Sequence, residues 1–574
     1  MPVGGASAVG AAPRVSALPG SQSVSSGDMR GIQWFALITV LINACAMLSP
    51  IIDSGDAITY ASIARHIALS HDWAGLVLDG HDWLDKPHFP FWMTAMSFHL
   101  GGIGARSYIL PGFIFHLIGA YYIYRLAEML YSKQTAMLAV LIYVSIFNLM
   151  DSSIEIKAEA YLRAEILAAC YYWLRYDMQF RTRYLLLGAL FTGMAIMTKG
   201  IFTIFTIYSG LVCLWLYQRQ WSKLFTIKWL LALVLSLLAA APEFIALHLQ
   251  FNQHAEGGGV EQQTAAFKFF FWDSQFGRFF NTGPIQNHNG YPFYFVLVLL
   301  WGFLPWTLLL FSAIYSYSRD GEKPGSSERV AFVYLSSTFL CTFLMFSATK
   351  FQMTYYIDII LPFAAVIAAD YLNTSSIGKP LFIAQMGLIA LLGLIVIALS
   401  IYVMNPAILA TIGAIGAGLW CYVYATRAAS FKFRAIAYSV LVINMLYIFS
   451  ILLNYSAFTR FGIASNAVKL LGAQSELPIY LYQMPEVSRE LTLYSKAPSH
   501  ELDTAESLRH IRGGYYLIVQ HEQARQLQLD PAKFKRLVNM KLVVHKTGTL
   551  GKLLQLARGT WPLESIDFLQ YEAY

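Results

Sequence analysis

The residues best suited to chemistry gather first between Asp53 and Trp92, in the polar stretch that follows the first long apolar run. Asp53 and Asp56 stand in DSGDAITYASIAR, and Asp85 with Lys86 in WLDKPHFPFW, beside apolar segments where an ionisable group is costly without a partner or a task. Asp56 has two readings: a general base or charge-stabilising carboxylate, or simply the N-cap of a helix over Ala57 to Leu69. Asp53, one helical turn earlier, reads first as a solvated loop residue. Asp85 and Lys86 can neutralise each other, or Lys86 can offer a point charge to a phosphate. Pro87 and Pro90 keep this segment from starting a regular helix and fix its shape.

A second polar group lies in DSSIEIKAEAYLRAE, where Glu155, Lys157, Glu159, Arg163 and Glu165 fall at the head of another apolar run. Glu155, Lys157 and Glu165 read as a surface ion-pair ladder, whereas Glu159, deeper in the run, reads as a buried carboxylate facing Asp56. Three cations complete the set: Lys199 in TKG, Arg278 in GRFFN and Lys350 in SATKFQMTYY. One such cation would snorkel to headgroups. Three of them around an acid pair fit an anionic ligand, of which a pyrophosphate or phosphodiester is the natural kind. His288 in QNHNGYPFY reads as a hydrogen-bonded loop residue, and no HxxxH or HExxH spacing occurs. A divalent ion held by Asp56, Asp85, Glu159 and His288 stays open, without diagnostic spacing. No glycine-rich phosphate loop follows a strand, so no nucleotide site is called for. The five cysteines sit in apolar runs without a CxxC pair and read as small core hydrophobes.

What must position these residues is a membrane frame. Of 574 residues 57% are hydrophobic and only 13% charged, which excludes an ordinary soluble domain of this size. Apolar runs of about 20 residues predict about 13 spans, near 32–52, 106–128, 134–152, 159–177, 183–199, 200–217, 226–248, 292–316, 329–347, 355–372, 380–402, 405–425 and 433–455. Basic residues collect in alternate loops, among them Arg125 and Lys133, Arg175 with Arg181 and Arg183, and Arg219 with Lys223 and Lys228. By the positive-inside rule those loops and the N-terminus are cytoplasmic, and all the candidate residues above share the opposite face. Residues 1–31, rich in Gly, Ala, Ser and Val, read as a disordered cytoplasmic tail. The Ala57 to Leu69 stretch, and the aromatic FKFFFWDSQFGRFF beyond the triple glycine at 257–259, read as segments lying on the membrane surface. Near Leu470 the composition changes to short β-type runs such as LPIYLY and YYLIVQ, which predicts an α/β domain over 461–574 on the outer side. The fold class is thus an all-α polytopic membrane protein, its transmembrane part over 32–460, with a small soluble α/β domain.

Taken in order, DAITYASIAR, WLDKPHFPFW, TKG, RFFN with HNGYPFYF and LPW, and SATKFQMTYYIDIILP resemble the lipid-dependent glycosyltransferases of the C fold. The likeness is to the aminoarabinose transferase branch, itself similar to protein mannosyltransferases. It implies sugar transfer from a polyprenyl phosphate to an envelope acceptor, most naturally lipid A, on the periplasmic face of the inner membrane. It also implies Asp56 as the first-loop acid, Glu159 as the second, and Lys86, Arg278 and one of Tyr355 or Tyr356 on the donor phosphate, with Lys199 and Lys350 beside them and Asp85 in support. Here Ala57 replaces the family's usual acid and His88 its second proline. Rival readings are transfer to another glycan or to protein, and a non-enzymatic carrier or flippase for lipid-linked sugars. Nucleic acid has no place in any of them.

Overall fold

The computed structural model describes residues 26–48 and 52–571, except 53–54, 155–156, 254–259, 288–289, 320–325, 376, 427–428, 473–474, 544–553 and 556–559. Residues 1–25 of the expected tail, Asp53, Glu155, the triple glycine and His288 therefore lie outside the described residues, and Ser26 already opens the first helix, Ser26–Cys45.

Among the described residues seven helices are long and apolar enough to cross a membrane: Asp28–Leu48, Ala105–Leu130, Ile227–Phe251, Ser327–Ala348, Lys379–Val403, Pro406–Val423 and Phe431–Phe461. An eighth crossing is made by Tyr294–Gly302 and Thr307–Arg319 if the pair, bent by 113°, counts as one broken span. The chain is a multi-pass membrane protein.

The helix Ala158–Gln179 occupies the centre. Every residue from Ala158 to Tyr171 is buried, with Glu159, Arg163 and Glu165 among them. It packs against Ala105–Leu130, Thr182–Lys199 and Phe202–Tyr217. Small residues allow the close approach: a Cβ at Gly188 would stand 2.8 Å from the Trp173 ring. Because protein rather than lipid surrounds this helix, it tolerates charges that a hydropathy test penalises. Glu165 is consequently no surface ladder residue: it is fully buried and accepts a hydrogen bond from Thr198 Oγ1 at 2.9 Å.

Ahead of this core, the first loop folds into a unit of its own. The helix Gly55–Ser70 begins one residue before Asp56, so Asp56 sits in the first turn, where a carboxylate complements the helix dipole. Its apolar side does not lie on lipid; Ile58, Ala61, Ile63 and Ile67 are buried against the helix Phe89–Gly101 and a C-terminal helix, Pro485–Tyr494. Between them β1 (Val77–Leu78) and β2 (His81–Asp82) pair across Asp79 and Gly80, both at positive φ as a tight hairpin turn requires.

The C-terminal region builds a five-stranded sheet from β3 (Ile479–Tyr482), β4 (Ser499–Leu502), β5 (Tyr515–Gln520), β6 (Phe534–Leu542) and β7 (Glu564–Tyr571), in the order β4-β3-β5-β7-β6. β4, β3 and β5 run parallel, with Pro485–Tyr494 as the crossover between β3 and β4, whereas β7 is antiparallel to both neighbours. That crossover helix touches the first loop: Ile52 N–H donates to the Tyr494 hydroxyl at 2.9 Å, and Arg489 lies 3.5 Å from Asp79.

Candidate functional site

The Lys86 segment is held from behind by a histidine. His88 is fully buried at the head of the helix Phe89–Gly101. Its backbone N–H donates to Glu243 Oε2 at 2.9 Å, its Nδ1 meets Oε1 of the same carboxylate at 3.0 Å, and its Nε2 donates to the Ala74 carbonyl at 2.9 Å. Burial, the largest single influence, pushes the imidazole towards neutrality; the Glu243 carboxylate, the Ala74 carbonyl and Asp72 together outweigh it and raise the histidine above its ordinary value. Trp92 Nε1 adds a bond to the Trp73 carbonyl at 2.7 Å, so the 72–75 turn, the 85–88 segment and the Glu243 helix move as one piece.

In front of this clasp, Asp85 bridges two cations. Lys86 Nζ lies 2.6 Å from Asp85 Oδ2, and Arg278 donates to Asp85 Oδ1. Burial holds the Lys86 ammonium below the usual range, to about 8, with the Asp56 carboxylate opposing the shift. Arg278 arrives by an unusual route, a π-helical run over Phe269–Gly277 ending in a short turn that Asn281 closes in the left-handed region. Its guanidinium stands 5.5 Å from the centre of the Phe351 ring. The 278–280 turn is tied to the 349–351 segment by the Lys350 N–H, which donates to the Phe279 carbonyl at 2.9 Å. Lys350 thus contributes its backbone here, while its side chain is exposed.

Glu159 and Lys199 form the second pair. The Lys199 ammonium donates to Glu159 Oε1, and both side chains are almost wholly buried. Glu159 is buried, as expected, and its bonded partner is a cation. Lys199 ends its helix because Gly200 follows at φ 111°, a conformation few side chains adopt, with Gln275 packed where a Cβ would stand. The Lys199 ammonium lies 4.4 Å from the Tyr356 ring centre and 5.5 Å from Tyr355, and Lys157 stands 4.7 Å from the Tyr355 ring. Both tyrosines thus face the cations. Behind them Asp358 takes Asn148 Nδ2 at 2.7 Å and Arg163 at 3.7 Å, which anchors the turn that carries the phenols.

Asp56 is exposed at the mouth of this group. Its charge is felt at Lys86, at Tyr356 and at the buried Tyr60, whose phenol is pushed up by burial and then by Asp56. The space enclosed by Lys86, Lys199, Glu243, Gln275 and Arg278 is small, about 20 Å³, room for one water.

The fold therefore brings together Asp85, Lys86, Glu159, Lys199, Arg278, Tyr355 and Tyr356, with Asp56 at the entrance. Among the described residues no three His, Cys, Asp or Glu side chains converge as metal ligands: Asp85 and Glu159 are each engaged by cations. Sequence reasoning missed the His88–Glu243 clasp and the Arg163–Asp358 pair. The signal for Glu243 was present, since a carboxylate inside an apolar span needs a partner.

Residues 85–245 match the dolichyl-phosphate-mannose-protein mannosyltransferase family. In overall shape the chain superposes on the crystal structure of ArnT from Cupriavidus metallidurans bound to undecaprenyl phosphate, with a TM-score of 0.69 at 16% identity, covering 94% of this chain and 98% of that one. The chain shares the fold of that structure. The apo ArnT structure gives a TM-score of 0.67, covering 95% and 98%. Two curated proteins share this resemblance in sequence. One is undecaprenyl phosphate-alpha-4-amino-4-deoxy-L-arabinose arabinosyl transferase 2 of Proteus mirabilis, 26% identical over 340 residues, or 58% of each chain. The other, the arabinosyl transferase of Edwardsiella ictaluri, is 27% identical over 369 residues, 62% of this chain and 63% of its own. The match thus spans under two thirds of these relatives' length. The matched family segment carries the Asp85–Lys86 pair, the Glu159–Lys199 pair and the Glu243 clasp.

Proposed function

We propose that the protein transfers a sugar from a polyprenyl-phosphate donor to an envelope acceptor, lipid A in the reading that the arabinosyl transferase relatives favour. The observation that carries this is the convergence of Lys86, Lys199 and Arg278 beside Tyr355 and Tyr356, at one end of membrane helices and with a carboxylate at the entrance. A lipid phosphate would enter from the membrane and replace Asp85 as the anion between Lys86 and Arg278. The acceptor hydroxyl attacks the anomeric carbon as the bond from that carbon to the phosphate oxygen breaks. The phosphate leaves with the electron pair, which the cations stabilise, and Asp56 takes the hydroxyl proton. Glu159 fixes Lys199 in this reading and acts through it.

The same reading has thirteen spans, counting the broken pair and the shorter or charged helices Lys133–Val144, Ala158–Gln179, Thr182–Lys199, Phe202–Tyr217 and Leu361–Thr374 beside the seven long ones. The N-terminus is then cytoplasmic, and the sheet region over 461–574 is a periplasmic domain of an inner-membrane protein. A carrier needs ionisable groups near the membrane midplane along a path. The clustering of cations at one end of the helices favours an enzyme instead.

The test is mass spectrometry of envelope lipids from cells with the wild-type gene, without it, and with Asp56→Asn. A pentosamine-sized addition to lipid A that is present only in the wild type supports the proposal. Lipid A unchanged among the three refutes the acceptor and moves the search to glycans and protein. Transport of donor without any covalent product in the wild type refutes the enzyme.

A further inference from the structure

The helices Ala105–Leu130, Ala158–Gln179 and Thr182–Lys199 border a second cavity of about 470 Å³, which shares no lining residue with the Lys86 space. Its walls are mostly apolar, with Ile114, Leu117, Phe191 and Met194 among them; the buried Glu165, bonded to Thr198, is the one carboxylate that lines it, and Tyr121 and Tyr122 close one end. Ile114 and Leu117 are 45% and 38% exposed on a membrane-length helix, so the groove opens sideways, where lipid chains run.

The tyrosine end of the groove carries cations. Arg125, one turn beyond Tyr121, donates to the Tyr121 hydroxyl at 2.8 Å and to the Tyr171 hydroxyl at 2.9 Å. Arg175 donates through Nε to Tyr171 at 3.2 Å, and both guanidinium carbons lie over the Tyr171 ring, at 5.3 and 5.5 Å. Facing charges leave an excess of positive sign. Glu128 offsets part of Arg125 at 3.7 Å, Asp177 is taken by Lys223 at 2.6 Å, and Arg183 sits at the start of the neighbouring helix with a bond to Tyr184. A guanidinium has five N–H groups, and among the described bonds Arg175 uses only Nε, which leaves its terminal fork for a phosphate. The length also fits: eleven residues from Ile114 to Arg125 rise about 16 Å, close to half of the roughly 30 Å hydrocarbon core. One acyl chain of a single leaflet would fill it.

We propose that this groove binds an anionic glycerophospholipid, with an acyl chain between Ile114 and Met194 and its phosphate on Arg125 and Arg175. Basic pockets between membrane helices hold anionic headgroups by this chemistry. The phenols fix both guanidiniums beforehand, so little side-chain freedom is lost on binding. The site lies at the ends of the helices opposite to Glu159 and Lys199 and takes no part in the transfer reaction.

Native mass spectrometry of the full-length protein released from micelles containing phosphatidylglycerol or phosphatidylcholine tests this. The wild type is expected to retain phosphatidylglycerol in preference. Arg125→Gln with Arg175→Gln lowers that retention by about fivefold for each arginine, and Leu117→Trp, which fills the groove but keeps the cations, lowers it too. Should the double variant melt early in phosphatidylcholine, Arg175→Gln alone decides, by a fivefold loss or none. Equal retention of the two lipids by the wild type, wild-type retention by the arginine variants, or equally good competition by soluble glycerol phosphate would each overturn the proposal.

Discussion

Replacing His88 by proline, the residue usual in the family's pattern at this point, should loosen the Lys86 segment. The substitution removes the backbone N–H that Glu243 Oε2 accepts and both ring bonds, to Glu243 Oε1 and the Ala74 carbonyl. Glu243, fully buried, then loses the partner of both its oxygens. Breaking a buried pair from one side costs about 3–5 kcal/mol. At 1.4 kcal/mol per decade, that is roughly a hundredfold or greater rise in the opening of residues 72–92, read by hydrogen–deuterium exchange of peptides from this stretch. Glu243→Gln is the control, because its amide can still accept from the His88 N–H and donate to a neutral imidazole; it should cost about 1 kcal/mol. The pH dependence has a defined sign. Glu243 raises His88 above its ordinary value, so the clasp is at full strength below about pH 6.5 and weakens as pH rises through the higher folded value. Exchange in His88→Pro within threefold of wild type, or a clasp that strengthens with pH, would refute this account.

Three further outcomes follow from the same geometry. Donor affinity should fall as pH rises through about 8, where the buried Lys86 loses its proton, and Lys86→Arg should flatten that profile in a binding titration. Gly200→Ala should lower thermal stability by about 1–3 kcal/mol, since φ 111° disfavours a side chain and the new Cβ would meet the Gln275 amide; a stability equal to wild type would refute it. Tyr494→Phe should cost about 1 kcal/mol and speed amide exchange at Ile52, because the phenol accepts that N–H across the contact between the sheet region and the first loop.

The sequence by itself determined the class of molecule, because apolar runs of span length and the scarcity of charge are local properties that hydration energy fixes wherever the chain folds. It also determined the residue types of the candidate site: an acid and a lysine before Pro87, a lysine before Gly200 and an arginine before Phe279 are rare enough beside apolar runs to stand out. Runs such as LPIYLY and YYLIVQ likewise marked strands, though not their order. Tertiary structure alone decided the pairings. Glu159 and Lys199 are 40 residues apart, Asp85 and Arg278 are 193 apart, and no periodicity encodes which charge meets which. It decided burial as well. Glu165 has the composition of a surface ladder residue and is buried because three helices close around it, while the helix of Asp56 is covered by a crossover helix more than 400 residues away, Pro485–Tyr494, rather than by lipid. Local sequence sets what a residue costs to bury, and only the assembled neighbours set whether that cost is met.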